Sequence, residues 1–175
     1  MCIAMITAGA FVAIPIPISP VPIVLQNMFV ILTGLVLPPA WAFLAVIVYL
    51  LLGAAGLPIL AGAAGGLAHF AGPTGGFLLG FPLAAGLASL VIRLGRGRAA
   101  TPHDAGLVRQ IIAISIGFLV IYLTGIPRLA AVTGFTLSRA LLIGMIPFLP
   151  GDILKGVALV ALLRTLPASL WRSWS

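Results

Sequence analysis

Charged residues are scarce in this sequence. The 175 residues include two acidic side chains and nine lysines or arginines, so only 6% of the chain is charged while 62% is hydrophobic. A water-soluble domain of this size could not cover its surface with so few charges. The composition therefore predicts an integral membrane protein and excludes an ordinary soluble domain.

Residues that serve catalysis or metal binding are also few. There is one cysteine, Cys2, and the two histidines, His69 and His103, fall in different predicted loops. Metal sites usually need a cluster of such ligands. The two carboxylates, Asp104 and Asp152, are predicted on opposite sides of the membrane, which excludes a paired-carboxylate mechanism. We therefore expect no enzyme, no metal and no cofactor, and because no ATP-binding motif is present, active transport would need energy from elsewhere.

The net charge is +7, which in a soluble protein would suggest a nucleic-acid partner. Here the arginines lie at the ends of apolar segments, where anionic headgroups and topology explain them better, so we expect membrane lipids and no nucleic acid. If the polar linker 93–109 is inside, six arginines are inside and two, Arg128 and Arg139, are outside. The positive-inside rule then predicts a multi-pass membrane protein with both termini in the cytoplasm.

Six apolar segments predict the architecture, an all-α membrane protein with six transmembrane helices in a single domain, residues 1–175. The predicted spans are 1–14, 23–37, 40–55, 77–94, 107–125 and 150–166. Spaced prolines predict extended backbone at 14–22. Proline and glycine interrupt 126–146, which predicts a short interfacial helix at 137–146 and no further crossing.

Segment 56–76 is rich in glycine and too apolar for a solvated linker. Connections of about 20 residues are uncommon and often functional, and glycine lets backbone approach a ligand closely. We interpret this segment as an outer loop, a lid, that caps a ligand cavity. The candidate site residues in it or just after it are Gly65, Gly66, Thr74, Gly75, Gly76 and Phe77.

The last apolar segment carries the only lysine of the chain, Lys155, three residues after Asp152. Side chains at this spacing share one face of a helix. An ionised group within a span costs about 2.5–3.5 kcal/mol, and such a group is a candidate functional site. We predict that this pair binds a polar ligand near the outer face; the simpler interpretation is that the two groups only neutralise each other.

Other polar or small residues within the spans have two interpretations each. Gln26 can bind a polar ligand or cap a neighbouring helix, and Asn27 beside it is better explained as a cap. Tyr49 can contact a ligand or pack in the core with a backbone acceptor. Ala4 and Ala8 form a stripe that lets another helix approach closely, unless their spacing is chance.

Four motifs, in the same order along the chain, resemble the BioY family of biotin-specific S-components of energy-coupling factor (ECF) transporters. They are Pro15-x-Pro17-x-x-Pro20-Val21-Pro22-x-x-Leu25-Gln26, Tyr49-Leu50-Leu51-Leu52-Gly53-Ala54-Ala55-Gly56-Leu57-Pro58, Gly72-Pro73-Thr74-Gly75-Gly76-Phe77 and Gly151-Asp152-x-x-Lys155. The resemblance implies a six-helix protein of the prokaryotic cytoplasmic membrane that binds biotin from outside and docks on a transmembrane coupling protein driven by two ATPase subunits. Ala4 and Ala8 match the stripe that contacts the coupling protein in that family.

The resemblance also implies roles in ligand binding. Asp152 suits the ureido N–H groups of biotin, and Lys155 suits its ureido oxygen or its carboxylate. The rings would pack against the apolar wall of the cavity, with Phe77 and Tyr49 as contacts. Two alternatives are an S-component for another small vitamin and an ion- or proton-coupled carrier in which Asp152 is the proton site.

Overall fold

The structure, a computed structural model, describes residues 1–94 and 105–165. The elements in chain order are α1 (Cys2–Phe11), β1 (Ala13–Ile14), β2 (Ile23–Val24), α2 (Gln26–Val36), α3 (Pro39–Ala54), α4 (Ala68–Ala71), α5 (Gly75–Arg93), α6 (Leu107–Thr133), α7 (Leu137–Gly144) and α8 (Leu149–Thr165). Most of the polar linker and the tail with Trp171, Arg172 and Trp174 lie outside the described residues.

Two of the described helices, α5 and α6, are long and apolar enough to cross a membrane. The pair α7 and α8, bent by 53° at a short break, would be a third crossing if it forms one broken span. Helices α1, α2 and α3 are apolar but shorter, between 10 and 17 residues. The chain therefore has the helical, apolar character expected from its composition, while the count of six spans stays a prediction.

Helices α5 and α6 form the centre of the bundle and approach each other closely. A side chain added at Gly76 or Gly80 of α5 would collide with Thr124 of α6, and one added at Gly125 of α6 would collide with the ring of Phe77. Small residues at a helix interface allow this proximity. Helix α8 lies beside α6 of this pair and beside α2.

Helix α6 is longer than the sequence predicted. We expected it to end at residue 125, but it continues through Pro127 to Thr133 and ends at Gly134, whose φ of +72° is left-handed. A proline inside a helix costs about 3 kcal/mol or more. The extra turns offset this cost because Leu129 is fully buried and Arg128 packs on Gly76 of α5.

The first two helices are joined by a hairpin. Ala13 pairs with Val24 and Ile14 with Ile23 in an antiparallel ladder that encloses the proline-rich segment. Both flanking helices are shorter than the predicted spans, because these four residues form strands and leave the helices. Gly9 lets α1 pack directly against the backbone at the start of α2.

The segment between α3 and α5 folds back over the ends of the helices. The Gly62 N–H donates to the Ala10 carbonyl at 3.1 Å, and the Gly66 N–H donates to the Gly53 carbonyl at 2.7 Å. It contains the short helix α4, which the sequence did not predict. Gly75 and Gly76, predicted to belong to the loop, are instead the first residues of α5, so we define the lid as residues 56–74.

Candidate ligand site

Three side chains from α2 and α8 form a compact hydrogen-bonded group. Lys155 Nζ donates to Asp152 Oδ1 at 2.8 Å and to Asn27 Oδ1 at 3.0 Å. Asn27 Nδ2 in turn donates to Asp152 Oδ1 at 3.1 Å. The spacing of three residues puts Asp152 and Lys155 on the same face of α8, and Asn27 reaches both from the first turn of α2.

A fourth side chain, from α6, completes what we call the site cluster: Asn27, Tyr122, Asp152 and Lys155. The Tyr122 hydroxyl donates to Asp152 Oδ2. Its ring meets the Phe77 ring edge-on, with centroids 6.4 Å apart. Four helices, α2, α5, α6 and α8, therefore hold the one carboxylate in place.

The two charges of the site cluster are almost completely buried. Asp152 is 5% exposed and Lys155 is 6% exposed. Each charge has its counterion and further hydrogen bonds, which is the condition under which buried ion pairs are tolerated. Asp152 also lies in the first turn of α8, where the helix dipole favours a negative charge.

The site cluster retains unused hydrogen-bonding capacity. A carboxylate offers about four acceptor positions, of which Asn27, Tyr122 and Lys155 use three. Lys155 uses two of its three N–H donors within the cluster, and Asn27 uses one of its two amide N–H donors. Each therefore keeps one donor that has no partner among the described residues. The Tyr122 oxygen can still accept. A small polar ligand could therefore bind without disrupting the existing bonds.

A groove of about 650 Å³ between α6 and α8 adjoins the site cluster. Its lining is apolar except for a few side chains, and two of these are Tyr122 and Asp152. Small-molecule sites usually have volumes of about 300–1,000 Å³ and combine apolar walls with a few polar groups. The lining residues are Ile111, Ile114, Ser115, Phe118, Leu119, Tyr122, Met145, Leu149, Asp152, Ile153, Gly156, Val157, Val160 and Ala161.

Comparison with known proteins decides the family. The model of the BioY family matches residues 1–172. The chain belongs to the BioY family. The probable biotin transporter BioY of Pyrococcus horikoshii is 42% identical over 94% of this chain and 90% of its own length. The biotin transporter BioY of Rhizobium etli is 36% identical over 91% of this chain and 84% of its own.

The fold is that of a solved S-component. The crystal structure of the S-component for biotin from an ECF-type ABC transporter superposes with a TM-score of 0.82 and 30% identity, covering 93% of this chain and 85% of that one. This similarity confirms the S-component fold that the four sequence motifs implied.

The residues predicted for the BioY site are distributed over several places. Asp152 and Lys155 are in contact with each other, whereas Gln26 and Tyr49 bond to each other and have no direct bond to the pair. Phe77 contacts the site cluster through the Tyr122 ring. Within residues 1–94 and 105–165, no three His, Cys, Asp or Glu side chains lie together as a metal site would require.

The predicted lid residues mostly serve packing within the described structure. Gly65 leaves space for the Leu57 carbonyl, and Gly75 leaves space for that of Phe70. Gly66 has a positive φ of 96°, and Thr74 is the half-buried residue before α5. Their contact with a ligand stays a prediction.

Sequence reasoning did not predict Tyr122 in the candidate site, and it favoured a cap over ligand binding for Asn27. Both were visible as hydrogen-bonding side chains inside apolar segments, and Asn27 follows Gln26 directly. What could not be read from the sequence is that α2 and α6 turn these side chains toward α8.

Proposed function

We propose that this protein binds biotin from the outer side of the cytoplasmic membrane and mediates its uptake as the S-component of an ATP-driven ECF transporter. The observation that carries the proposal is a buried carboxylate with spare acceptor capacity that lines an apolar groove. Membership of the BioY family supports biotin as the ligand. It also makes the chain a transport protein and not an enzyme.

The hydrogen-bonding pattern of the site cluster complements the ureido ring of biotin. The ring has two N–H donors and one carbonyl acceptor. Asp152 and the Tyr122 oxygen, which line the groove, can accept the two N–H groups, and the remaining donors of Lys155 and Asn27 beside them match the carbonyl in kind. A carboxylate in the same place would face Asp152 and be repelled, so the ureido end, not the valerate carboxylate, binds at the cluster.

The groove accounts for the apolar part of the ligand. The thioether ring and the valerate chain have no hydrogen-bond donors, and the α6 and α8 side chains along the groove are predominantly apolar. Phe77, behind Tyr122, adds to this wall. The glycines of the lid, Gly65 and Gly66, allow it to cover the ligand, with Thr74, Gly75 and Gly76 forming its junction with α5.

Transport requires partners that supply energy. A transmembrane coupling protein and two ATPase subunits would provide it, with Ala4 and Ala8 as the docking stripe. In support, both alanines lie on the exposed side of α1, away from the core residue Ile6. The termini then face the cytoplasm, and biotin is the transported ligand, with no cofactor.

The test is to identify the ligand directly. Small molecules that copurify with the protein are analysed by mass spectrometry, and biotin, desthiobiotin, thiamine and riboflavin are then titrated calorimetrically. We expect biotin and desthiobiotin, which share the ureido ring, to bind and the other two to fail. Binding of a different vitamin alone would overturn the biotin assignment.

Uptake measurements test the source of energy. Cells that require biotin are supplied with this chain, with and without a coupling protein and its ATPases. We expect uptake to stop on ATP depletion. Uptake that survives ATP depletion but collapses with the proton gradient would instead make Asp152 the proton site of a carrier.

A further inference from the structure

Two fully buried side chains connect the base of the lid to the first turn of α2. The Tyr49 hydroxyl of α3 donates to the Ile59 carbonyl at 2.7 Å and accepts from Gln26 Nε2 at 2.9 Å. Tyr49 is 0% exposed and Gln26 is 1% exposed. Burial makes both bonds costly to break, because no water can replace the missing partner.

The same turn of α2 also reaches the site cluster. Gln26 and Asn27 are consecutive, and successive side chains on a helix point about 100° apart. Gln26 therefore faces α3 and the lid while Asn27 faces α8, where it bonds both Asp152 and Lys155. A continuous bonded path leads from the Ile59 carbonyl at the lid base to the carboxylate of the site.

We infer that Tyr49 and Gln26 are positioning residues that hold the lid base in register with the site cluster. This inference rests on the proposed function and deepens it. The two side chains have each other and a backbone carbonyl as partners, so they act on the ligand through Asn27 and the lid. Their loss should shorten the residence of bound biotin more than it slows its entry.

The turn that follows Ile59 is packed tightly against α3. Leu60, next to Ile59, is 1% exposed, and its side chain fills the space left by Gly53 of α3. The Leu60 N–H bonds the Ala64 carbonyl at 2.9 Å, which makes this part of the lid a tight turn. Loss of the Ile59 bond should therefore loosen this turn, although the backbone bonds of the lid to α1 and α3 remain.

The test combines ligand kinetics with a measure of lid opening that needs no ligand. In a Cys2→Ser background, Ala64→Cys reports opening through its rate of maleimide labelling, and Leu67→Cys, at a position 74% exposed, is the control. For Tyr49→Phe we expect biotin to dissociate about tenfold faster, with association within twofold of wild type. We also expect labelling at position 64 to be several-fold faster and labelling at position 67 to be unchanged.

Two further variants keep the result interpretable. Gln26→Met removes the donor at nearly constant volume and should act in the same direction, and the double variant should resemble Tyr49→Phe alone because both break one path. Tyr122→Phe is the matched tyrosine control. It should weaken binding without changing labelling at position 64.

Unchanged dissociation in both single variants would overturn the inference. Slower association with unchanged labelling would also overturn it, because Tyr49 would then contact the ligand directly. If the wild-type protein binds no biotin, the proposed function fails, whereas the labelling comparison in ligand-free protein still tests whether Tyr49 anchors the lid.

Discussion

The two ends of α2 both meet buried polar side chains, but they use them differently. At its first turn, Asn27 joins a cluster that adjoins a groove and keeps spare hydrogen-bonding capacity. At its last turn, Arg93 of α5 donates to the carbonyls of Leu35 and Val36, the latter at 2.8 Å, and Ser89 donates to that of Leu37 at 2.5 Å.

The comparison separates buried polar groups that could bind a ligand from buried polar groups that only stabilise the helix. The last carbonyls of a helix lack partners within the helix, and a cation there also complements the helix dipole. Arg93 meets both needs, although its buried Nε has no hydrogen-bond partner in the described structure. The last turn of α2 is therefore capped by Arg93 and Ser89, and the first turn is part of the candidate site that adjoins the groove.

Neutralising Asp152 should give the largest effect on binding. For Asp152→Asn we expect biotin affinity to fall at least about 100-fold, because the variant removes the ionised acceptor and leaves Lys155 without a counterion. Truncating one partner of a buried, hydrogen-bonded charge pair costs about 2–5 kcal/mol of binding free energy, and about 2.8 kcal/mol corresponds to 100-fold. Titration calorimetry on the purified protein measures the change.

The double variant Asp152→Asn/Lys155→Met separates stability from binding. It contains no unpaired charge, so its unfolding midpoint should recover toward wild type while binding stays absent. Wild-type affinity in Asp152→Asn would contradict the assignment of this carboxylate to the ligand.

Arg93→Met should weaken the fold and leave the site intact. We expect the free energy of unfolding to fall by about 2 kcal/mol, because hydrogen bonds from a charged donor are lost while the apolar stem is kept. Denaturant unfolding in detergent measures this, and biotin affinity should stay within twofold. In the control Arg109→Met, an exposed guanidinium loses one bond, to the Leu94 carbonyl, and the change should be below about 0.5 kcal/mol.

If folded Arg93→Met protein also binds biotin more weakly, in proportion to its lost stability, the two ends of α2 do not have separate roles. The structural cap would then also shape the site.

Tyr122→Phe should have a moderate effect that is confined to the site. The ring and its edge contact with Phe77 are kept, and only the hydroxyl bond to Asp152 is lost. We expect a drop of about tenfold in affinity, since a hydrogen bond to a charged group contributes about 1.5–3 kcal/mol and water in the groove replaces part of it. Equilibrium binding of labelled biotin measures the drop, and an unchanged affinity would remove Tyr122 from the site.

The sequence was sufficient for the parts of the fold that local rules determine. The scarcity of charge predicted a membrane protein, and the helix pattern predicted both ends of α3 and the start of α8 to within one residue. It failed at Pro127, where packing on α5 carries the helix through a residue that local rules treat as a breaker.

The site shows the same limit. The spacing of Asp152 and Lys155 predicts their shared face from one helix alone. Asn27 and Tyr122 join them from other helices, at separations of 125 and 30 residues from Asp152. Such contacts depend on how helices are rotated against each other, which a single sequence does not specify.

Gly156→Ala gives the smallest effect and tests whether the ligand uses the groove. Gly156 lines the groove, and an added methyl group would lie 3.6 Å from Ile114, an ordinary contact. Alanine in a helix interior should raise the free energy of unfolding by about 0.5 kcal/mol. Biotin affinity should fall about two- to threefold, because one methyl group takes space that the ligand rings would fill.

Gly151→Ala is the matched control, because a methyl group at Gly151 meets nothing within 4 Å. It should raise stability by a similar amount and leave affinity unchanged, as measured by the same unfolding and titration experiments. An equal loss of affinity in both variants would trace the effect to the stiffness of α8 and not to the groove. A loss at Gly156 alone would extend the ligand site from the first turn of α2 and the start of α8 along the α6 wall, whereas the role of the Arg93 cap would stay purely structural.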